Sequence, residues 1–214
     1  MKSIAPETLY PNWNAVPGKP SLTAPFLNGN PHEYEVNWLC RVAQCTGAVN
    51  AFEIGTFNGI TAMHLGHAVP GTTWTLDIPE GVTPKYPLSE FDLQWLALRG
   101  EIRAFVPRPA NVEQLWGDSA TFDYSDYEGR CGLVFVMGSH TPAYVRNDLK
   151  VAARLVSQPG VIVWHYGNEA EIPAGIDEEF ELTRLGDSRL VIVGAQTASK
   201  TLKMKGGDAN VRNA

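Results

Sequence analysis

Short apolar runs alternate along this chain with stretches whose apolar residues recur at helical spacing. The runs predicted to be strands are 51–55, 73–78, 112–116, 133–137, 161–165, 180–185 and 190–194. Alternation of strand and helix is typical of a mostly parallel sheet with helices on both faces. The last two runs are joined only by Gly186-Asp187-Ser188, which is too short for a crossover helix, so this pair is predicted to be antiparallel. The predicted fold is therefore α/β and Rossmann-like, with seven strands and an antiparallel terminal hairpin.

Local signals mark where two of the helices begin. Asn30 is followed by Pro31 and then by Glu33 three residues after the cap, which predicts a helix start at Asn30. Thr141 followed by Pro142 predicts a second start. Other helices are expected from Gly59 and from Ser89. His64 and His67 on the helix from Gly59 are expected to be solvated. The side chains of Trp38 and Trp95 on helices, and of Trp116 and Trp164 on strands, are expected to pack.

The two ends of the chain show less hydrophobic periodicity than its middle. Residues 1–31 are rich in proline and are predicted to form an extended arm or a lid. The domain itself is expected over 32–200, interrupted by a Pro-rich insertion at 79–111. Such a long connection in a compact domain is often functional. Residues 201–214 are predicted to form a disordered tail.

Composition narrows the class of protein. With 214 residues one domain is expected, and the net charge of −6 argues against a nucleic-acid surface. The three cysteines form no C-x-x-C pair, so neither a zinc site nor a disulfide framework is indicated. No apolar run approaches the length of a membrane span, and no signal peptide is visible. A cytoplasmic protein with a small-molecule substrate and no membrane or nucleic-acid partner is expected.

The most informative motif combines two acids with two glycines. Glu53 ends the first apolar run, Gly55 and Gly59 follow it, and Asp77 ends the second run. Glycines let a ligand approach the backbone, and an acid at this strand end accepts ribose hydroxyls. Phe57 stands where a dinucleotide-binding motif would have a glycine, so no pyrophosphate cradle is predicted. S-adenosylmethionine is the commonest ligand with a ribose and no phosphate, although the two glycines would also suit a simple tight turn.

Five segments, in order, carry a resemblance to a known family. They are Glu53-Ile-Gly55-Thr-Phe57-Asn-Gly59, Thr75-Leu-Asp77-Ile, Gly117-Asp118-Ser119-Ala120, Gly138-Ser-His140 with Tyr144-Val-Arg-Asn-Asp148, and Val161-Ile-Val-Trp164-His165. Over about 32–196 the chain resembles class I S-adenosylmethionine-dependent methyltransferases, and is most similar to small-molecule O-methyltransferases with a D-G-x-H motif. The resemblance implies cofactor contacts from Glu53, Gly55, Thr56, Phe57, Gly59, Asp77, Ile78, Asp118, Ser119 and Met137.

Two positions depart from the metal-dependent members of that family. Met137 stands where those members have an aspartate before the Gly138-Ser-His140 turn. His165 is followed by Tyr166-Gly167-Asn168, without the aspartate those members place there. Divalent Mg²⁺ and Ca²⁺ require oxygen ligands, which a thioether does not supply. The sequence therefore predicts that no metal site is present.

Without a metal, a side-chain base must take the proton of the methyl acceptor. His140 and His165 are predicted to end neighbouring strands and are the catalytic candidates, with Tyr144 and Tyr166 as substrate contacts. The simpler alternatives are that each histidine binds a loop carbonyl, and that Tyr144 pairs with Asp148 on a helix surface.

The expected function is methylation of the oxygen or nitrogen of a small molecule, with a phenol, an acid or an amine as acceptor. The alternative is a protein that binds S-adenosylmethionine but has lost methyl transfer. A nicotinamide-dependent oxidoreductase is disfavoured by the glycine spacing and by the terminal hairpin. A homodimer is also expected, because arms and insertions of this kind often make dimer contacts.

Overall fold

One sheet of eight strands organises the chain in a computed structural model that describes residues 1–21, 26, 28–102, 109–167 and 172–195. The strands are β1 (Lys2–Ile4), β2 (Ala51–Ile54), β3 (Thr73–Asp77), β4 (Val112–Trp116), β5 (Cys131–Val136), β6 (Val156–His165), β7 (Phe180–Leu185) and β8 (Leu190–Ala195). The helices are α1 (Pro6–Leu9), α2 (Glu33–Cys45), α3 (Ile60–Ala68), α4 (Glu90–Ile102), α5 (Pro142–Leu155) and α6 (Ile176–Glu179), with a 3-10 turn at Trp13–Ala15.

The strand order is β1-β7-β8-β6-β5-β2-β3-β4. Strands β6, β5, β2, β3 and β4 run parallel, and β8 is antiparallel to both β6 and β7. The predicted Rossmann-like fold with its terminal hairpin is thereby confirmed. The sheet has one strand more than predicted, because Lys2–Ile4 at the start of the N-terminal segment pairs with β7. Three residues give no readable alternation, so this edge strand left no signal in the sequence.

Both faces of the sheet are covered, as a parallel sheet requires. Alternate residues of β5 point to opposite faces. Val134 and Val136 pack with Leu149 of α5 on one face, whereas Leu133 and Phe135 pack with helices α2 and α3 on the other. All of these side chains are buried. Truncation of a fully buried leucine such as Leu149 to alanine is expected to cost about 2–5 kcal/mol of stability.

Several local expectations need correction. Helix α2 begins at Glu33 rather than near Asn30, and the backbone N–H of His32 donates to Glu35 Oε2 at 2.8 Å. Asn30 instead exchanges two side-chain hydrogen bonds with Asn58. His64 is buried rather than solvated, with Nδ1 2.7 Å from the carbonyl oxygen of Ile60. Trp116, expected in the core, is 47% exposed.

The predicted tail and the end of the predicted domain, from residue 196 onward, lie outside the described residues. None of the described helices combines the length and the apolar character that crossing a membrane requires.

Candidate active site

An open cavity lies at the carboxyl ends of β2, β3 and β5, where an open parallel sheet binds its ligands. Its volume is about 870 Å³, solvent space at the mouth included. The predicted site residues that line it are Gly55, Phe57, Asp77, Ile78, Asp118, Ser119, Met137, His140 and Tyr144. These positions are scattered over nearly ninety residues of sequence, and the parallel order of the strands brings them to one edge.

Gly55 lines the cavity at the turn after β2. Its φ is +97°, and a Cβ atom at this position would be 2.2 Å from the carbonyl oxygen of Met137. The end of β2 and the end of β5 are held together because the N–H of Met137 donates to the carbonyl of Ile54 at 2.9 Å. Only glycine allows this left-handed turn and this approach, so the residue is required by the structure as well as by any ligand.

Glu53 lies beneath this turn and is fully buried. Its Oε2 accepts the hydroxyl of Thr75, whose oxygen is 2.7 Å from that of Thr56, and Gln114 donates to Thr56 at 2.9 Å. Its Oε1 has no hydrogen-bond partner among the described residues. Burial, with a smaller contribution from Asp77, raises the pKa of Glu53 to about 8 against the lowering effect of Thr75.

Glu53 and Thr56 are not among the residues that line the cavity. Gly59 is the N-cap residue of α3 and has a φ of +83°. The features of this turn that fit a bound nucleoside are therefore Gly55, which lets a ligand approach the backbone, and the carboxylate of Asp77 at the cavity edge.

Asp77 ends β3 and faces the cavity. Its Oδ1 accepts the backbone N–H of Ile78 at 2.9 Å, and its carbonyl accepts the N–H of Gly117 at 3.0 Å. These bonds orient the carboxylate at the strand tip, the position at which an acid binds ribose hydroxyls in this class of sheet.

Asp118 is held by several donors at once. Its Oδ2 accepts the N–H of Lys85 at 2.7 Å, its Oδ1 accepts the N–H of Ala120 at 2.8 Å, and the hydroxyl of Tyr144 is 3.0 Å from both oxygens. Tyr144 therefore positions Asp118 and is not on a helix surface with Asp148. Asp148 is fully buried, and burial raises its pKa to about 7.

The insertion covers the cavity with aromatic rings. Phe57 has a φ of +50°, a conformation that non-glycine residues adopt rarely, and its ring meets Trp95 of α4 edge-on at 5.2 Å. Phe91, also on α4, contacts Trp95 at 5.7 Å and His140 at 6.1 Å. Trp95 was expected in the core, but it lines the cavity together with Gly29 of the N-terminal segment.

Asp92 is a cavity residue that sequence reasoning missed. Its Oδ2 accepts the hydroxyl of Ser139 at 2.9 Å and that of Ser89 at 2.8 Å. Its Oδ1 is 3.4 Å from the backbone nitrogen of His140. Asp92 thus connects the first turn of α4 to the turn after β5. The signals in the sequence were the unusual length of the insertion and the Ser89-x-x-Asp92 spacing, which is typical of a helix cap and is realised here.

The two candidate catalytic histidines have different surroundings. His140 lines the cavity, whereas His165 is buried with its Nε2 3.4 Å from Glu35 Oε2. Burial lowers the pKa of His165 even though Glu35 opposes that effect. Burial would raise the pKa of Glu35, but hydrogen bonds from His165 and from the backbone of Arg189 and His32 lower it to about 2.

The expectation that His165 and Tyr166 face the substrate is therefore not matched by their positions. Alternation along β6 turns His165 towards α2, and Tyr166 is buried in the core beside Trp164 at 5.9 Å.

Met137, which stands where the resemblance drawn from the sequence has a carboxylate, packs against the core on the side of α2 and α3. Among the described residues, no group of three or more His, Cys, Asp or Glu side chains is arranged to hold a metal ion.

A parallel sheet with this cavity at its carboxyl edge defines a nucleoside-binding α/β protein of the methyltransferase type. The Methyltransf_24 family model, described as a methyltransferase domain, matches residues 52–165, which is more than half of the chain. The chain belongs to this family. The predicted class, an S-adenosylmethionine-dependent methyltransferase, is confirmed, and with it the predicted cofactor.

Solved structures give the same fold at low sequence identity. The methyltransferase PaMTH1 of Podospora anserina, solved with S-adenosylhomocysteine, has a TM-score of 0.54 and 16% identity over 79% of this chain and 81% of that chain. A Staphylococcus aureus protein provisionally described as a caffeoyl-CoA O-methyltransferase has a TM-score of 0.51 and 10% identity over 81% of this chain and 86% of that chain. No curated protein matches the chain.

Proposed function

We propose that this protein transfers a methyl group from S-adenosylmethionine to a small molecule without the help of a divalent metal ion. The observation that carries the proposal is the convergence of Gly55, Asp77 and His140 on one cavity at the strand ends. The first two belong to the nucleoside-binding motif, and the third offers a base to the same space.

S-adenosylmethionine, the methyl donor, would be held by the floor of the cavity and by its wall at the end of β3. Asp77 would accept the ribose hydroxyls, Gly55 would allow close approach to the backbone, and Ile78, Ser119 and Met137 would contact the remaining surface. When bound, S-adenosylmethionine supplies a methyl group activated by the neighbouring sulfonium.

The chain itself supplies position, a base and exclusion of water. His140 is the only one of the two candidate histidines that lines the cavity, so it is the base in this proposal. Histidine suits this role because imidazole exchanges protons near neutral pH. The rings of Phe57, Phe91 and Trp95 cover the reacting groups and restrict their motion, and much of the rate acceleration in such a displacement can be positional.

Metal independence is supported by the ligand chemistry. Met137 offers a thioether where an oxygen ligand would be needed, and Mg²⁺ binds oxygen ligands. The same substitution also fits a protein that keeps the pocket but has lost methyl transfer, so product formation has to be measured directly.

The experiment combines binding with turnover. Calorimetry should show that S-adenosylmethionine binds the purified protein, and mass spectrometry should detect methylated product from a panel of small phenols, acids and amines. Activity should survive exhaustive chelation and show no response to added Mg²⁺. Failure of S-adenosylmethionine to bind would refute the proposal, and activity lost on chelation and restored by Mg²⁺ would refute its metal-free part.

A further inference from the structure

Asp118 joins three segments that are far apart in the sequence. It lies in the turn after β4, and its Oδ1 accepts the backbone N–H of Ala120 in the same turn at 2.8 Å. Its Oδ2 accepts the backbone N–H of Lys85 in the insertion at 2.7 Å. The hydroxyl of Tyr144 on α5 is 3.0 Å from both oxygens. The carboxylate therefore ties the insertion and α5 to the turn after β4.

These contacts fill the accepting capacity of the Asp118 carboxylate. A carboxylate has about four lone-pair positions, two on each oxygen. Each oxygen of Asp118 has one contact from a backbone N–H and one from the hydroxyl of Tyr144, whose proton is shared between them. Asp118 lines the cavity although it is only 5% exposed. A ligand in the cavity therefore meets an acid whose oxygens are already occupied by protein donors.

The insertion is also attached beside this carboxylate by an aromatic contact. The ring of Tyr86 meets that of Tyr144 edge-on, with the ring centres 5.2 Å apart. Burial raises the pKa of Tyr144, and a hydrogen bond from the backbone of Tyr86 opposes that effect. Leu88, two residues further along, lines the cavity. The attachment of Lys85 and Tyr86 thus fixes where this part of the insertion forms the cavity wall.

The turn after β4 has supports of its own. The carbonyl oxygen of Ser119 accepts the hydroxyl of Tyr124 at 3.1 Å and the side-chain amide of Asn147 at 3.2 Å. Neither bond involves the carboxylate of Asp118. Because these bonds remain when the contacts of that carboxylate are lost, the loss should release the insertion more than the turn.

We propose that Asp118 and Tyr144 are positioning residues for the methyl donor, which hold residues 79–88 of the insertion as one wall of its site and do not themselves recognise the adenine base. This inference rests on the binding of S-adenosylmethionine proposed above. The charge of Asp118 is used inside the protein, to orient two backbone N–H groups and one hydroxyl. The ligand class that follows is a nucleoside thioether whose 6-amino group makes no bond to this carboxylate.

The test compares two nucleosides that share the sugar and the amino-acid chain and differ in the base. S-adenosylhomocysteine carries an amino group at position 6, S-inosylhomocysteine carries an oxygen there, and each is titrated by calorimetry. The amide of Asp118→Asn has one accepting oxygen, so it cannot replace both backbone contacts. Both affinities should fall by about fivefold, the equivalent of one lost hydrogen bond, and their ratio should stay unchanged. Asp126→Asn, at an exposed acid outside the cavity wall, should alter neither affinity.

A second variant tests the hydroxyl of Tyr144. Tyr144→Phe keeps the ring beside Tyr86 and removes only the oxygen that bonds Asp118. Both affinities should again fall by one common factor. Hydrogen exchange of the backbone amides in 79–88 should become faster, whereas that of 117–120 should stay the same. Tyr127→Phe, the same change at a partly buried tyrosine outside the cavity wall, should alter neither the affinities nor the exchange.

The possible results separate this inference from the proposed function. A fall in the affinity for S-adenosylhomocysteine alone in Asp118→Asn would show that Asp118 recognises the 6-amino group, and would overturn the inference. Unchanged affinities or unchanged exchange in Tyr144→Phe would overturn it as well, even if Asp118→Asn fails to fold. In each of these cases the unchanged protein still binds S-adenosylhomocysteine, so the proposed function stands. Binding of neither nucleoside to the unchanged protein would refute both.

Discussion

At the scale of single residues, the two candidate histidines have different surroundings because they lie on different kinds of segment. His140 lies in the turn after β5 and faces the cavity, whereas His165 is the last residue of β6 and faces the buried carboxylate of Glu35. A His140→Ala variant should lose turnover by roughly 10²–10⁴ if it removes the general base. Its affinity for S-adenosylmethionine, measured by calorimetry, should stay the same, since Asp77 and Gly55 remain. The exposed His67 provides the control as His67→Ala.

In contrast, His165→Ala should act on stability, because it leaves the buried Glu35 without its ring partner. Leaving one acceptor of a buried hydrogen bond unsatisfied costs about 1–3 kcal/mol, and Glu35 keeps its bonds to the backbone N–H groups of His32 and Arg189. For the His140 prediction, full turnover of His140→Ala at saturating substrate would show that His140 is not the general base.

Asp77 should carry much of the affinity for the donor. Asp77→Ala removes a charged acceptor from the ribose hydroxyls, which should cost about 1.5–3 kcal/mol of binding free energy. Calorimetric titration of S-adenosylmethionine measures this directly, with Asp126→Ala as a control at an exposed site. Unchanged affinity in Asp77→Ala would mean that the ribose lies elsewhere.

The sequence predicted these residues where strand ends and short motifs fix the position, as at Gly55 and Asp77. It did not predict Asp92, because that carboxylate reaches the cavity only through the docking of α4 on the turn after β5. Nor did it predict the burial of His64, because the ring is covered by segments distant in sequence, including Phe26 at 5.7 Å.

At the scale of elements, the turn after β2 depends on the end of β5. Gly55→Ala would combine an unfavourable φ with a clash against the Met137 carbonyl, whereas Gly81→Ala would meet an unfavourable φ of +79° in open space. The control should lose about 1–2 kcal/mol of stability from the φ alone. Gly55→Ala should lose clearly more, and should also bind S-adenosylmethionine more weakly.

Urea unfolding of both variants gives the comparison. Equal losses in Gly55→Ala and Gly81→Ala would show that the backbone at Met137 shifts away without cost.

The strands and helices themselves were largely predictable, because apolar runs mark the core strands and helical spacing of apolar residues marks the core helices. Thr141 and Pro142 mark the start of α5 as expected, and the Gly186-Asp187-Ser188 join yields the antiparallel hairpin. The start of α2 was placed too early, because Asn30 binds Asn58 across the chain instead of capping the helix. That partner is not visible from local sequence.

At the scale of the whole molecule, the sheet concentrates acidic groups at its carboxyl edge, and two of them are buried without a compensating cation among the described residues. Burial raises the pKa of Glu53 from 4.5 to about 8 and that of Asp148 from 3.8 to about 7. Burial of these two acids therefore makes the stability of the ligand-free protein sensitive to pH.

This sensitivity has a definite sign. Below about pH 4.5 Glu53 is protonated in both the folded and the unfolded protein, so it adds no pH dependence there. Between about pH 4.5 and 8 the folded state binds more protons than the unfolded state, and the free energy of unfolding falls as the pH rises. In Glu53→Gln this contribution is absent, and any cost of the new amide is the same at every pH.

The stability of ligand-free Glu53→Gln relative to the unchanged protein should therefore increase steadily from pH 5 to pH 8, as measured by urea unfolding at each pH. The exposed Glu178 provides a control, since Glu178→Gln should follow the unchanged protein throughout. Parallel stability curves for Glu53→Gln and the unchanged protein would mean that Glu53 ionises normally in the fold. The Glu53 carboxylate would then be solvated or paired beneath Gly55 rather than buried with an unsatisfied oxygen.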